Sequence, residues 1–303
     1  MRTCSSCDIA WLDPQPVAEE IPMLYSRYIT HDAQAPTPWL GRLRHATSQC
    51  VLSRAGYPVA PSEAVLPRLL AYLPGPRKHA KLTVLGLPPT ATGTLLDVGC
   101  GNGEFVDRMR ALGWQVSGVD PDPAAVAYGQ RRGIGIFTGT ISDVPESVCF
   151  DVITLNHVIE HVADPINFLR ECRKRLSPKV GKLIITTPNL NSLGHRWFRK
   201  YWRGLEVPRH FTIFSSKGLR DCVERAGLHL LSMSTETRLA PMIYRQSTCA
   251  QVGELHIADR TAFQFNIKIA AHFFRMLESF AVRLGSNVGE EIFCTCERPA
   301  ETY

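Results

Sequence analysis

Residues 95–105 read LLDVGCGNGEF, and this stretch decides what kind of fold the chain has. An apolar run, Leu95 to Val98, gives way to glycines at alternate positions, Gly99, Gly101 and Gly103, before a helical pattern opens at Glu104. Glycine allows the sharp turn from strand to helix, and it lets a ligand approach backbone that a side chain would shield. A glycine-rich strand-to-helix turn is a weak signal alone. Two acids sharpen it. Asp97 precedes the first glycine by two residues, and Asp120 ends the next apolar run in GVDPDP, 17 residues after Gly103.

Asp120 is suited to accept both hydroxyls of a ribose. Asp97 would repel a pyrophosphate at the loop and attract an ammonium group. An adenosine joined to an amino acid satisfies both, which describes S-adenosylmethionine (SAM). A nicotinamide dinucleotide fits less well, since the glycine spacing is G-x-G-x-G and Asp97 disfavours phosphate.

Outward from the loop, TLLDVG, QVSGVD, DVITLN and KLIITTP alternate with the helical stretches GEFVDRMRALG, PAAVAYGQRRG and DPINFLRECRKRLSP. This alternation predicts a parallel sheet with helices on both faces and a ligand at the strands' carboxyl ends. SKGLRDCVERAG reads as a helix with Ser215 or Ser216 as N-cap and Gly227 at its end. A strand HLLSMSTET, a long helix TAFQFNIKIAAHFFRMLESFAVRLG and a closing strand EEIFCTCERP follow. Residues 1–90 are Pro-rich, with LDPQP, QAPTP and LPGPRKHA, and read as a partly irregular N-terminal cap. The expected division is a cap over 1–90, a SAM-binding core over 91–238 and a helical lid with the closing strand over 239–303.

Composition sets outer bounds. With 303 residues, 45% hydrophobic and 20% charged, the chain is an ordinary globular one. A net charge of +6 suits an anionic partner without requiring one. The ten cysteines are scattered and the start, MRTCSSCDIAWLD, lacks a secretory apolar run, so reduced thiols in a cytoplasm are expected. No apolar run is long enough to span a membrane. The long helix carries Lys268, Arg275, Glu278 and Arg283, which points to a packing helix, with an interfacial membrane helix as the lesser reading. A peripheral contact with the inner membrane is therefore kept open.

DVGCGNG, GVDPDP, FDVITLNHVIEHVADP and LIITTPN together resemble the successive motifs of the class I SAM-dependent methyltransferases, over about residues 90–235. Within that class the chain is similar to the bacterial branch with EHVxDP and TPN signatures, which includes the ubiquinone-pathway O-methyltransferases. The resemblance implies a Rossmann-like, doubly wound, mostly parallel seven-stranded sheet, and S-adenosylhomocysteine as product. It implies that Asp97, Gly99 and Gly101, with Cys100 beside them, hold the methionine part of SAM. Asp120, followed by Pro121, would hold the ribose, Thr140 and Ile141 would flank the adenine, and Asn156 would lie near the methionine end.

His157-Val-Ile-Glu160-His161 spells the zinc-protease pattern H-x-x-E-H. In this setting, packing or hydrogen-bonding roles are expected, proton transfer is secondary, and no metal is assigned. Some ubiquinone-pathway relatives place a divalent metal here, with an acid where this chain has His157. Cys4-x-x-Cys7 is half of a zinc knuckle, and zinc needs four ligands. It resembles the second half of a zinc ribbon that related methyltransferases can carry; Cys294-x-Cys296 could in principle complete the set, but alternate residues in a strand are more often simply one face of it.

After TPN the chain runs LNSLG and then HRWFRKYWRGLEVPRHFTIFS, residues 195–215. If HRWFRKYWR is helical, Trp197, Phe198, Tyr201 and Trp202 gather on one side, and Arg196, Arg199, Lys200 and Arg203 on the other. This segment reads as an acceptor-side lid turned at Pro208. His210 is the first choice of catalytic base, because an imidazole pKa near 6.5 suits proton abstraction at neutral pH. His157 and His161 stand in reserve. TLNHV lacks the Asn-Pro-Pro-aromatic run of nucleic-acid base methyltransferases, so nucleic acid is not the expected partner. The expected activity is methyl transfer to oxygen of a small molecule, saccharide or lipid-linked acceptor. C- or N-methylation and a degenerate SAM-binding scaffold are the alternatives.

Overall fold

The computed structural model describes residues 1–17, 20, 39–89, 93–179, 181–253 and 260–299. Strands β1 (Arg2–Thr3) and β2 (Ala10–Trp11) precede helices α1 (Trp39–Arg54), α2 (Val65–Leu70) and α3 (Pro74–Thr83). Strands and helices then alternate as β3 (Thr94–Val98), α4 (Glu104–Ala111), β4 (Gln115–Asp120), α5 (Pro123–Arg131), β5 (Ile136–Thr138), β6 (Val152–Asn156), α6 (Pro165–Lys174) and β7 (Lys182–Pro188). The remainder is α7 (Leu193–Phe198), β8 (Thr212–Ile213), α8 (Ser216–Arg225), β9 (His229–Glu236), α9 (Ala240–Val252), α10 (Arg260–Arg283) and β10 (Glu291–Glu297). The expected seven-stranded sheet forms, in the order β5-β4-β3-β6-β7-β10-β9. β10 is inserted antiparallel between β7 and β9, while β3, β4 and β5 are parallel. No helix among the described residues is long and apolar enough to cross a membrane.

By its internal contacts the chain divides into two compact units, residues 28–154 and residues 1–27 with 155–303. In the first, α1 packs on α2 and α3, so the stretch expected to be partly irregular holds three helices. Its prolines mislead as breakers because Pro74 is the first residue of α3, where the missing N–H has no helical partner to lose. Pro123 and Pro165 open α5 and α6 in the same way. The Asp122 and Asp164 side chains cap those helices, accepting from Ala124 N at 2.9 Å and Asn167 N at 3.0 Å.

Two glycines in this unit are dictated by space. A Cβ on Gly118 would lie 2.6 Å from Ile136 Cγ2 and 2.7 Å from Cys100 Sγ. A Cβ on Gly129 would lie 2.3 Å from Ile136 Cδ1 and 2.8 Å from the Asn102 carbonyl oxygen. Gly129→Ala is therefore expected to cost about 1–3 kcal/mol and to displace the glycine loop through Asn102. Chemical denaturation checks the first effect, and an unchanged midpoint would contradict it.

In the second unit, β1, β2 and β8 form a small antiparallel sheet. α8 takes Ser215 as its N-cap, with Gly218 N donating at 3.0 Å, and Gly227 follows it at φ +78°, as expected. HRWFRKYWR is not one helix. α7 ends at Phe198, Arg199 turns left-handed at φ +49°, and two short 3₁₀ turns, Arg199–Tyr201 and Arg203–Leu205, follow. The break rotates the aromatics apart. Phe198 and Trp202 join Leu190, Ile213 and Ile243 in a core cluster, whereas Trp197 and Tyr201 are exposed.

Candidate active site

In the unit of residues 28–154, β3 delivers Asp97 into a buried position where its carboxylate accepts the Thr154 hydroxyl at 2.6 Å. The chain then turns through Gly99, Gly101 and Gly103 at φ +71°, +53° and +79°, a conformation costly for any other residue. Gly99 and Cys100 both donate to the Val119 carbonyl, at 2.8 and 3.2 Å. Gly101 N donates to one oxygen of Asp120 at 2.8 Å, and Asp122 N, just past Pro121, to the other at 2.9 Å. Gly139 N reaches the Asp120 carbonyl at 3.0 Å. That bond brings in the turn of Thr140 and Ile141, where the Thr140 amide and hydroxyl donate to Asp143 at 2.7 and 2.9 Å. Eight of the nine cofactor residues expected from the sequence thus belong to the linked ends of β3, β4 and β5. Asn156 lies in the other unit, its side-chain oxygen accepting the Thr186 hydroxyl at 2.6 Å.

Burial pushes the Asp97 carboxyl up to about 7, with the Thr154 hydroxyl opposing and the Asp120 charge adding to the rise. Burial raises Asp120 as well, against the bonds from Asp122 and Gly101. Two buried carboxylates beside one glycine turn are stabilised by a cationic ligand. SAM, with its ammonium and sulfonium, fits that requirement, and Asp120 retains lone pairs for a ribose. Thr154 and Asp143 were not anticipated; Thr154 is legible in hindsight as the polar residue inside the apolar run DVITL.

The histidines gather in the other unit. His157 takes a left-handed φ of +57°, and its ring spans two acids, with Nδ1 3.1 Å from Glu160 and Nε2 2.9 Å from Glu291. Glu160 is fully buried and also accepts the Thr187 hydroxyl at 2.9 Å; Glu291 is further paired with Arg238 at 3.5 Å. Although burial alone would lower it, the two carboxylates push His157 up to about 10. In return, against its burial, the His157 charge pulls Glu160 down to about 2. His157 is thus a pinned imidazolium.

His161 and His210 stand edge to face, ring centroids 4.7 Å apart. Each donates from Nδ1 to a carbonyl oxygen, His161 to Arg209 at 3.0 Å and His210 to Gly204 at 2.8 Å. Carbonyls only accept, so both Nδ1 atoms carry protons and a neutral ring keeps its lone pair on Nε2. Burial lowers the His210 pKa, with Glu160 opposing, so the ring is neutral at pH 7. Glu206 lies 3.7 Å from His210 Nε2. Glu160, His161 and His210 also offer ligand atoms within 4.8 Å of one another, a set that suits a metal ion.

The 195–215 segment is anchored by acids that the pattern did not reveal. The Trp202 indole donates to Glu290 at 2.8 Å, and a Cβ on Gly194 would fall 2.0 Å from the Glu290 carboxylate. Burial pushes Glu290 up to about 7 and, with the Glu290 charge adding, Glu278 up to about 9. Arg203 N donates to Ser247 at 2.9 Å. Cys4 and Cys7 close a turn in which Cys4 N donates to Ile9 O at 2.9 Å. Cys294 and Cys296 are buried on β10 with their sulfurs 3.4 Å apart, on one strand face.

The sheet order, the glycine turn and the acid ending β4 define a class I SAM-dependent methyltransferase fold. The family model described as methyltransferase domain matches residues 64–233, more than half of the chain, and the chain belongs to that family. It is similar to the ubiquinone biosynthesis O-methyltransferase of Cereibacter sphaeroides, at 30% identity over 155 residues, 44% of this chain and 62% of that protein. It is also similar to the enzyme of the same name from Caulobacter sp., at 38% identity over 103 residues, 31% and 40% of the two chains. The chain therefore spans about three fifths or less of the length of these curated relatives. In fold it resembles a chain from the complex between the Haloferax volcanii Trm112 methyltransferase activator and a methyltransferase, with a TM-score of 0.51 at 19% identity, covering 73% of this chain and 88% of that one.

Proposed function

We propose that the protein methylates an oxygen of a small-molecule, saccharide or lipid-linked acceptor and releases S-adenosylhomocysteine. The observation carrying this reading is the buried acid pair Asp97 and Asp120 around the glycine turn. When bound, SAM supplies a methyl group on a sulfonium, ready for in-line displacement. Asp97, Gly99, Cys100 and Gly101 hold its amino-acid part, Asp120 and Pro121 the ribose, Thr140 and Ile141 the adenine, and Asn156 the methionine end. Residues 91–238 form the cofactor core, and 1–90 and 239–303 shape acceptor access.

His210 is the general base. The acceptor hydroxyl gives its proton to the free Nε2 as its oxygen takes the methyl group. Burial keeps the ring neutral, and the Gly204 carbonyl holds the tautomer with Nε2 open. His161 packs on His210, and His157 holds Glu160 charged beside both. The base reading is favoured over a metal at Glu160, His161 and His210 because the His157 imidazolium, 3.1 Å from Glu160, already satisfies that acid's charge. A chelator is accordingly expected to leave turnover unchanged.

Titration calorimetry with SAM tests the proposal. Binding is expected for the wild-type protein and its loss for Asp97→Ala. No heat at millimolar SAM, or undiminished affinity in the variant, would sink the reading.

A further inference from the structure

α10 buries one face and leaves an apolar stripe on another. Ile267, Ala271, Phe274 and Glu278 are turned into the protein. Ile269, Phe273, Met276, Leu277, Phe280 and Leu284 are exposed, Phe273 at 61%, Met276 at 66%, Phe280 at 65% and Leu284 at 71%. Their spacing of three and four residues aligns them on one side of the helix, over about 22 Å at 1.5 Å per residue. A continuous exposed stripe of this kind marks an interaction surface rather than scattered surface residues.

The charges beside it identify the partner. Lys268, His272, Arg275 and Arg283 are exposed along one edge of the stripe. Among the described residues of α10 the acid is Glu278, and it is fully buried. A second copy of the chain would bring the same cationic edge and no exposed α10 carboxylate to meet it. α9 packs against both α10 and α7. The segment from α7 repeats the composition, with exposed Trp197 and Tyr201 among Arg196, Arg199 and Lys200; the Lys200 ammonium lies 5.0 Å from the Tyr201 ring centroid. Aromatic rings interleaved with cations suit the headgroup layer of a bilayer.

We infer that α10 docks the protein on an anionic lipid surface. Phe273, Met276, Phe280 and Leu284 enter the headgroup boundary, and Lys268, Arg275 and Arg283 lie against the lipid charges. This inference stands apart from the methyl-transfer reading, because lipid binding is measured without turnover and survives if that reading fails.

Co-sedimentation with vesicles of phosphatidylglycerol and phosphatidylcholine in equal parts, against phosphatidylcholine alone, tests it. The protein is expected to sediment with the anionic vesicles and to be released by salt. Phe273→Ser with Phe280→Ser should lower partitioning tenfold or more. Lys268→Ala with Arg275→Ala should lower it roughly 25-fold, about fivefold per cation, on the anionic vesicles only. These side chains are exposed, so thermal melts by circular dichroism should match wild type. Failure to sediment, equal binding to both vesicle types, or indifference to both double variants would overturn the inference. So would a concentration-dependent dimer that the Phe273→Ser, Phe280→Ser variant dissociates, since the stripe would then be a self-interface.

Discussion

His157→Ala is expected to lower the unfolding free energy by about 2–3 kcal/mol, less than the cost of removing one partner from a fully buried ion pair, because the two carboxylates are buried while the His157 ring is 30% exposed. The imidazolium is the shared countercharge of Glu160 and Glu291, both buried. Without it, Glu160 keeps only the Thr187 hydroxyl among the partners described above, and Glu291 keeps Arg238. Alanine brings no relief of the left-handed backbone, which disfavours any residue with a Cβ. The pH dependence follows from the direction of the shifts. His157 is raised to about 10, so its stabilisation is complete below its ordinary pKa of about 6.5 and is lost as pH rises through the folded value. Glu160 is lowered to about 2, so its share is present above its unfolded value and is lost as pH falls toward the folded one. Denaturation curves should therefore show a gap between wild type and variant that is wide at pH 6 and narrower at pH 9. A gap under 1 kcal/mol, or one that does not move with pH, would contradict the pinned imidazolium.

The second large effect is on chemistry. His210→Ala should leave SAM affinity as it is and cut turnover about 10²-fold or more, in line with loss of a general base. Alanine also removes the bond to the Gly204 carbonyl, so a second substitution separates the base from an anchor. In His210→Asn the side-chain amide takes the place of Nδ1–H while Nε2 is gone. A base predicts that Asn fails as Ala does; an anchor predicts that Asn restores turnover. The burial that lowers the His210 pKa places the acid limb of the wild-type rate profile below the ordinary imidazole value. Asn at wild-type turnover would refute the assignment.

Much of the fold was legible because its signals are local. Alternating strand and helix patterns, caps such as Ser215, and glycines that must adopt positive φ are all readable along the chain. The glycine loop was legible for the same reason, since its residues and the acids bonded to it come from consecutive strand ends. Errors arose where local rules compete. Pro74 reads as a breaker yet begins a helix, and HRWFRKYWR has the apolar spacing of one helix yet breaks at Arg199, letting Trp202 turn inward to bond Glu290.

The class of sheet, the glycine turn and the two acids around it follow from the order of residues alone, because those depend on neighbours in the chain. The charge each histidine carries is set by the folded arrangement around it. His157 is separated by 134 positions from Glu291 and His210 by six from Gly204, and the partners, not the residue type, set each ring's charge. An imidazole between two buried carboxylates is held as a cation, and one buried against a carbonyl stays neutral with an open nitrogen. That difference is one of environment, which folding alone supplies.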